Sequence, residues 1–78
     1  MLKKQPLLIV TFHTTSESMA FEKAAAAAGI PGKLGPVPRS LGSDCGIAFR
    51  AEPAQEAAVR ALLEAQALEI DRVCVVET

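Results

Sequence analysis

The sequence predicts one small α+β domain, and three observations carry that prediction. Two apolar stretches rich in β-branched residues, 6–13 and 70–76, lie near the two ends of the chain and are typical of strands. Two segments with apolar residues at helical spacing lie between them. The segments 32–37 and 47–51, between those helices, have the length of short strands. The element order is therefore β-α-β-β-α-β, and 78 residues leave room for one domain, 1–78.

The first half of the chain contains a strand and a helix. Residues 6–13 are apolar almost throughout, so we expect a central strand that is covered on both faces. Thr14 and Glu17 have the spacing of a capping box at the start of the following helix. We expect that helix to end at Ala28, with Gly29 as its left-handed terminator.

The rest of the chain contains the other four elements, of which the strand at 70–76 is the last. Residues 32–37 include Pro36, and proline is tolerated in edge strands but not in central ones, so this strand is expected at an edge. Residues 47–51 alternate in polarity and predict the third strand. Pro53 occupies the first turn of the second helix, where its missing N–H group costs nothing, and the apolar face runs to about Gln66.

This order of elements is that of the ferredoxin-like, split β-α-β fold. Right-handed crossovers then give a four-stranded antiparallel sheet of order 4-1-3-2, with both helices on one face. No segment of the chain remains to cover the opposite face, which carries apolar residues of the first and last strands. We therefore expect this open face to form a homodimer or to receive another partner.

Charge and composition exclude several classes of function. Eight basic residues balance nine acidic ones, and no basic run exists beyond Lys3-Lys4, so nucleic acid is not an expected partner. The longest bulky apolar run, 7–10, is too short for a membrane span or a signal peptide, which predicts a cytoplasmic protein without membrane contact. Two cysteines and one histidine predict no metal site, and no dinucleotide motif or other cofactor motif is present.

Cys45, in the turn 38–46 before the third strand, is the residue that we expect to carry the chemistry. In the predicted topology this turn lies at the same end of the sheet as His13 and the N-terminus of the first helix. The positive helix end and Arg39 would each favour a thiolate, which is the nucleophilic form. His13 is placed to exchange a proton with it, and Gly46 allows close approach of another molecule.

Each of these residues also has a purely structural interpretation. Cys45 could be a small apolar residue at the start of a strand, and the charge of Asp44 would oppose a thiolate. Arg39 could be a solvated loop residue or a partner of Asp44, and His13 could cap a neighbouring carbonyl group. Cys74, in the last strand, is expected to pack against its neighbours, too far from Cys45 to form a disulfide with it.

A second hypothesis makes the protein a regulatory or ligand-binding module. Thr14, Thr15 and Ser16 are most simply helix caps, but with the helix N-terminus and Arg39 they could instead bind a small anion. In that case Cys45 merely packs. A third hypothesis is an interaction subunit that uses the open sheet face. An independent enzyme is not expected, because the sequence has no paired carboxylates, catalytic triad or phosphate loop.

Five stretches of the chain also resemble a known family, that of "putative selenium/sulfur carrier protein-like" domains. They are Thr-Phe-His-Thr-Thr at 11–15, Phe-Glu at 21–22, Gly-Ile-Pro at 29–31, Pro-Val-Pro-Arg-Ser-Leu at 36–41 and Ser-Asp-Cys-Gly at 43–46. The similarity extends over nearly the whole chain, and the Pro-Val-Pro-Arg segment followed by Ser-x-Cys-Gly is its most specific part.

The resemblance implies a role for Cys45 as the carrier thiol. Pro38, Arg39, Ser43 and Gly46 would surround it. Such a thiol accepts sulfur or selenium as a persulfide or selenosulfide and passes it to an acceptor. The implied partners are a cysteine desulfurase or another sulfur- or selenium-transfer protein, and the implied protein is a carrier or accessory protein.

Overall fold

The computed structural model of the protein describes residues 5–38, 41 and 46–77. Its elements are β1 (Pro6–Thr11), α1 (Thr15–Ala27), β2 (Lys33–Pro36), β3 (Ile47–Ala51), a short 3-10 helix (Pro53–Gln55), α2 (Glu56–Gln66) and β4 (Arg72–Glu77). The fold is α+β, and the predicted order of strands and helices along the chain is confirmed.

The four strands form one antiparallel sheet of order β2-β3-β1-β4. β1 pairs with both β3 and β4, whereas β2 pairs with β3 alone. A sheet order has no direction, so the same three pairings read from the β4 edge give 4-1-3-2. β1 is therefore central and β2 lies at an edge, as the apolar run and the prolines predict.

Two strand boundaries differ from the prediction by two residues, whereas both ends of β2 and the end of β4 differ by one. β1 ends at Thr11 and does not reach His13, because the backbone N–H of His13 donates to the Glu17 carboxylate at 2.7 Å and so belongs to the helix cap. β4 begins at Arg72, not at residue 70, because Ile70 leaves the strand path and packs against the core from the preceding loop. Both differences arise from contacts that a periodicity pattern does not contain.

The predicted capping box and terminator of α1 are present. The Thr14 hydroxyl accepts a hydrogen bond from the backbone N–H of Glu17 at 3.2 Å. The Glu17 carboxylate reaches back to the N–H of His13, one residue before the usual partner in this motif. Gly29, with φ of +75°, turns the chain out of the helix in the left-handed conformation that favours glycine.

The core lies between the two helices and one face of the sheet. Phe21 of α1 packs against Phe12 at 5.7 Å and against Phe49 at 4.9 Å between ring centroids. Both helices share one cluster with β1 and β3, so both lie on the same face, as predicted. Its buried members are Leu8, Val10, Phe12, Phe21, Ala25, Ile30, Phe49, Ala51, Val59 and Leu62.

The second face of the sheet is not open at its centre, and this corrects the sequence prediction. Ile9, Thr11 and Ala48 alternate with the core-facing residues and are each fully buried. Part of the reason is Arg50, whose side chain lies along the sheet over Gly35, the residue paired with Ala48. The prediction that nothing in the chain covers this face was therefore wrong. The homodimer expected there stays a prediction.

Candidate functional site

Four chain segments meet at the end of the sheet where β1 stops. Thr11 pairs with Ala48 near the start of β3 and with Arg72 at the start of β4. Pro36, the last residue of β2, pairs with Ile47, the first residue of β3. α1 begins here as well, directly after the β1 strand. We call this the site end and define it as residues 11–17, 36–38, 46–48 and 71–72.

The described ends of the turn that contains Cys45 lie at the site end. The backbone N–H of Val37 donates to the carbonyl oxygen of Gly46 at 3.4 Å, which holds the two sides of the turn together. The N–H of Leu41 donates to the carbonyl of Pro38 at 2.9 Å. The turn therefore leaves and rejoins the sheet beside α1, as the topology predicts.

The residues expected to carry the chemistry of that turn lie outside the described part of the chain. They are Arg39, Ser43, Asp44 and Cys45, and their roles stay predictions. Gly46, which follows Cys45, has φ of +72°, and, its chain neighbours aside, no atom of a described residue lies within 4 Å of the position that a Cβ would occupy.

His13 lies between two carboxylates at the site end. Its Nδ1 is 3.2 Å from Oε1 of Glu17, and its Nε2 is 3.6 Å from Oδ1 of Asp71. The ring is about half exposed, at 54%. Its partners are carboxylates and not the neighbouring carbonyl that the structural interpretation expected. Proton exchange with another group at this end requires the ring to turn away from one carboxylate.

Asp71 is the residue of this end that sequence analysis missed. Its backbone N–H donates to the carbonyl oxygen of Thr11 at 2.7 Å, and its Oδ2 accepts from the Thr11 hydroxyl at 3.1 Å. Arg72 Nε lies 3.8 Å from the same oxygen. Asp71 thus ties the start of β4 to the end of β1, and its other oxygen lies beside the His13 ring. Neither residue predicts this contact alone. Only the combination of a polar residue at the end of β1 with an acidic residue just before the paired strand β4 could have indicated it.

The N-terminus of α1 is already occupied by a negative charge of the chain itself. Thr14 is the N-cap, as predicted, and Thr15 and Ser16 are exposed residues of the first turn. The Glu17 carboxylate lies at the same helix end, where it accepts from the His13 N–H. A second anion at this position would be repelled by Glu17, which weighs against the small-anion hypothesis for these hydroxyl side chains.

Cys74 lies in the middle of β4 and not at the site end. It pairs with Ile9 in the register between β1 and β4, so its side chain is on the second face of the sheet. The thiol is half-buried, as expected for a packing residue. Because Cys45 lies outside the described residues, the expectation that the two thiols are too far apart for a disulfide stays a prediction.

The described residues contain no group of three His, Cys, Asp or Glu side chains placed to hold a metal ion. Within the same residues, no helix combines the length and the apolar composition that crossing a membrane requires. The described part of the site end therefore offers hydrogen-bonding and charged side chains, among them His13, Glu17 and Asp71.

These features define a small α+β domain with a polar loop cluster at one end of its sheet. The chain belongs to the family described as "Putative Se/S carrier protein-like", whose model matches residues 7–75, from β1 into β4. This match confirms the resemblance carried by the sequence motifs. Comparison with curated proteins and with solved structures found no match in either case.

Proposed function

We propose that the protein is a carrier of sulfur or selenium and that Cys45 is its carrier thiol. The observation that carries this proposal is family membership over residues 7–75, a span that includes the Ser-Asp-Cys-Gly motif. The carrier would be built on a ferredoxin-like domain, in which the turn before β3 is presented at the site end. The donor would be a cysteine desulfurase or another sulfur- or selenium-transfer protein.

The transfer step proposed for Cys45 is an exchange of sulfane sulfur. The Cys45 thiolate attacks the outer sulfur of a persulfide on the donor and forms a new S–S bond. The donor's own S–S bond breaks, and the donor leaves as a thiolate with the bonding electron pair. Attack by an acceptor thiolate on the outer sulfur then releases the Cys45 thiolate. Neither step needs an external oxidant or reductant, and selenium in the outer position follows the same balance.

Access and charge both bear on this role. Gly46, next to the thiol, has no Cβ and so allows the close approach of a donor. The charges of Glu17 and Asp71 at the site end disfavour a thiolate, whereas the N-terminus of α1 favours it. His13, held between those carboxylates, would accept the thiol proton if its ring turned towards the turn. We assign His13 this proton-accepting role and Arg39 that of a counter-charge.

Mass spectrometry of the protein after incubation with a cysteine desulfurase and free cysteine tests the proposal. We expect a mass gain of one sulfur atom that maps to Cys45 and is reversed by a reductant. The Cys45→Ser variant should lose this gain. Cys74→Ser is the matched control, because it removes the other thiol of the chain and should leave the gain intact.

Alkylation gives a second measurement that does not depend on the choice of donor. Cys74 is half-buried in a strand, so we expect a thiol-reactive probe to label Cys45 first near neutral pH. Slow and equal labelling of the two thiols, together with no sulfur gain from any desulfurase tested, would contradict the carrier role.

A further inference from the structure

The second face of the sheet contains a cavity beside the edge strand β2. Its volume is about 440 Å³, and it is bounded by Leu7, Lys33, Leu34, Gly35, Pro36 and Arg50. A neighbouring cavity of about 330 Å³ shares three of these residues and also touches Glu52. Among the described residues no acidic side chain lines the larger cavity, and the charges of those residues that face it are those of Arg50 and Lys33.

Arg50 lines this cavity, and its side chain has a buried hydrogen-bond donor without an acceptor. Its Cδ lies 3.1 Å and its Nη1 3.6 Å from the position that a Cβ at Gly35 would occupy, so glycine at this position makes room for the guanidinium. The Nε atom is buried and makes no hydrogen bond. Among the described residues, no carboxylate forms an ion pair with Arg50. Buried donors in native proteins are almost always paired, so an unpaired one indicates a missing acceptor.

Lys33 places a second positive charge at the same position. It pairs directly with Arg50 in the register between β2 and β3, so both side chains leave the same face of the sheet. Like charges directly opposite each other on paired strands are unfavourable. No carboxylate of the described residues is paired with Lys33 either. An anion between the two side chains would remove this repulsion. It would also supply the acceptor that Nε lacks once the guanidinium turned this buried atom towards the cavity.

We propose that this cavity binds a small tetrahedral oxyanion, a phosphate or sulfate group, through Arg50 and Lys33. The guanidinium presents Nε and Nη donors in a planar fork that matches two oxygens of such a group. Lys33 contributes a charge from the adjacent strand. The apolar side chains of Leu7 and Pro36 lower the local polarity and so strengthen both interactions. The proposal does not rest on the carrier function.

Nuclear magnetic resonance of the full chain tests the site directly. Sodium phosphate or sodium sulfate is titrated into the ¹⁵N-labelled protein at constant ionic strength, with sodium chloride as the balance. We expect a saturable shift of the Arg50 Nε–H resonance and of the Gly35 amide. Sodium acetate is the comparison, and it should shift both resonances less at equal concentration.

Variants assign the binding to the two cations. Arg50→Gln and Lys33→Gln should each weaken phosphate binding about tenfold or more, because each loses a charge-assisted hydrogen bond. The matched controls are Arg60→Gln and Lys23→Gln, which remove the same charges from the helices and should bind normally. Lys33 is exposed, so its variant remains informative even if Arg50→Gln fails to fold. In that case the Gly35 amide reports binding.

Three results would overturn the proposal: no saturable shift in phosphate or sulfate, equal shifts in acetate, or equal losses in the control variants. The Cys45→Ser variant should bind phosphate as the wild type does. Failure of the carrier function and failure of this anion site are thereby distinguished, because each is measured in a variant that leaves the other intact.

Discussion

Replacing Gly32 with alanine tests how closely the chain before β2 packs against the core. A Cβ at this position would lie 2.5 Å from Cζ and 2.7 Å from Cε2 of Phe49, and 2.8 Å from the carbonyl oxygen of Arg50. Carbon atoms in contact are ordinarily about 3.5–4.0 Å apart, so the overlap is about 1 Å on two sides. The new methyl group therefore meets a ring on one side and strand backbone on the other.

Neither neighbour is free to move away. Phe49 is 1% exposed and packs edge-on against Phe21, with 4.9 Å between the ring centroids. The Arg50 oxygen belongs to the backbone of β3, which is paired on both sides. Overpacking of this kind costs about 1–3 kcal/mol, and because two rigid neighbours are involved we expect about 3 kcal/mol. A domain of 78 residues has a total stability of about 4–12 kcal/mol, so the loss is a large part of it.

Urea unfolding followed by far-ultraviolet circular dichroism measures this loss, since the chain has no Trp or Tyr for fluorescence. We expect the unfolding midpoint of Gly32→Ala to fall by about 2 M. Gly29→Ala is the matched control, because a Cβ there meets no atom within 4 Å and only the positive φ is strained. That strain costs about 1 kcal/mol. If Gly32→Ala were no less stable than Gly29→Ala, the argument from close packing would be refuted.

Two further substitutions probe the helix end and the site end. Ala67 ends α2 in the left-handed conformation, with φ of +49°, so Ala67→Gly should stabilise the protein by about 0.5–1 kcal/mol in urea unfolding. Ala65→Gly, inside the same helix, should instead destabilise it by about 1 kcal/mol. If both variants changed the free energy of unfolding in the same direction, the left-handed conformation of Ala67 would be contradicted. Asp71→Ala leaves the buried Thr11 hydroxyl without its acceptor and should cost about 1–3 kcal/mol. Adding Thr11→Val should recover part of that loss, and a single variant as stable as wild type would disprove the role of the hydrogen bond.

Helix boundaries were predictable where their signals are local. Thr14 and Glu17 contact each other within one turn, so their spacing alone specifies the start of α1. Gly29 acts through its own backbone torsions, which need no distant partner. Pro53 marks the start of the 3-10 helix, but the prediction that α2 itself starts there was wrong, because α2 begins at Glu56. The end of α2 has no such local signal, because Ala67, and not a glycine, adopts the left-handed conformation there.

The sheet order was predictable because handedness and short connections leave few alternatives, whereas the cover of the second face was not. The course of the Arg50 side chain depends on the space above Gly35, which lies on a different strand and becomes its neighbour only after pairing. Simple alternation therefore assigned Ile9 to an open face, although it is fully buried in the folded chain.

The candidate site was predictable in its location and less so in its contacts. Topology alone brings His13 to the same end as the turn before β3. Asp71, whose carboxylate lies beside the His13 ring, is hydrogen-bonded to Thr11, 60 positions earlier in the chain. No local pattern indicates such a contact. The expected chemistry of Cys45 stays a prediction that the transfer experiment decides.

The two edges of the sheet differ in what they offer to a neighbouring polypeptide. β2 has four residues and ends in Pro36, which has no backbone N–H to donate. β4 has six residues without a proline, and Val75 on it is 43% exposed. Strand addition requires a row of unpaired N–H and C=O groups. The proline at β2 therefore limits intermolecular extension of the sheet there and leaves the β4 edge as the side where another backbone can align.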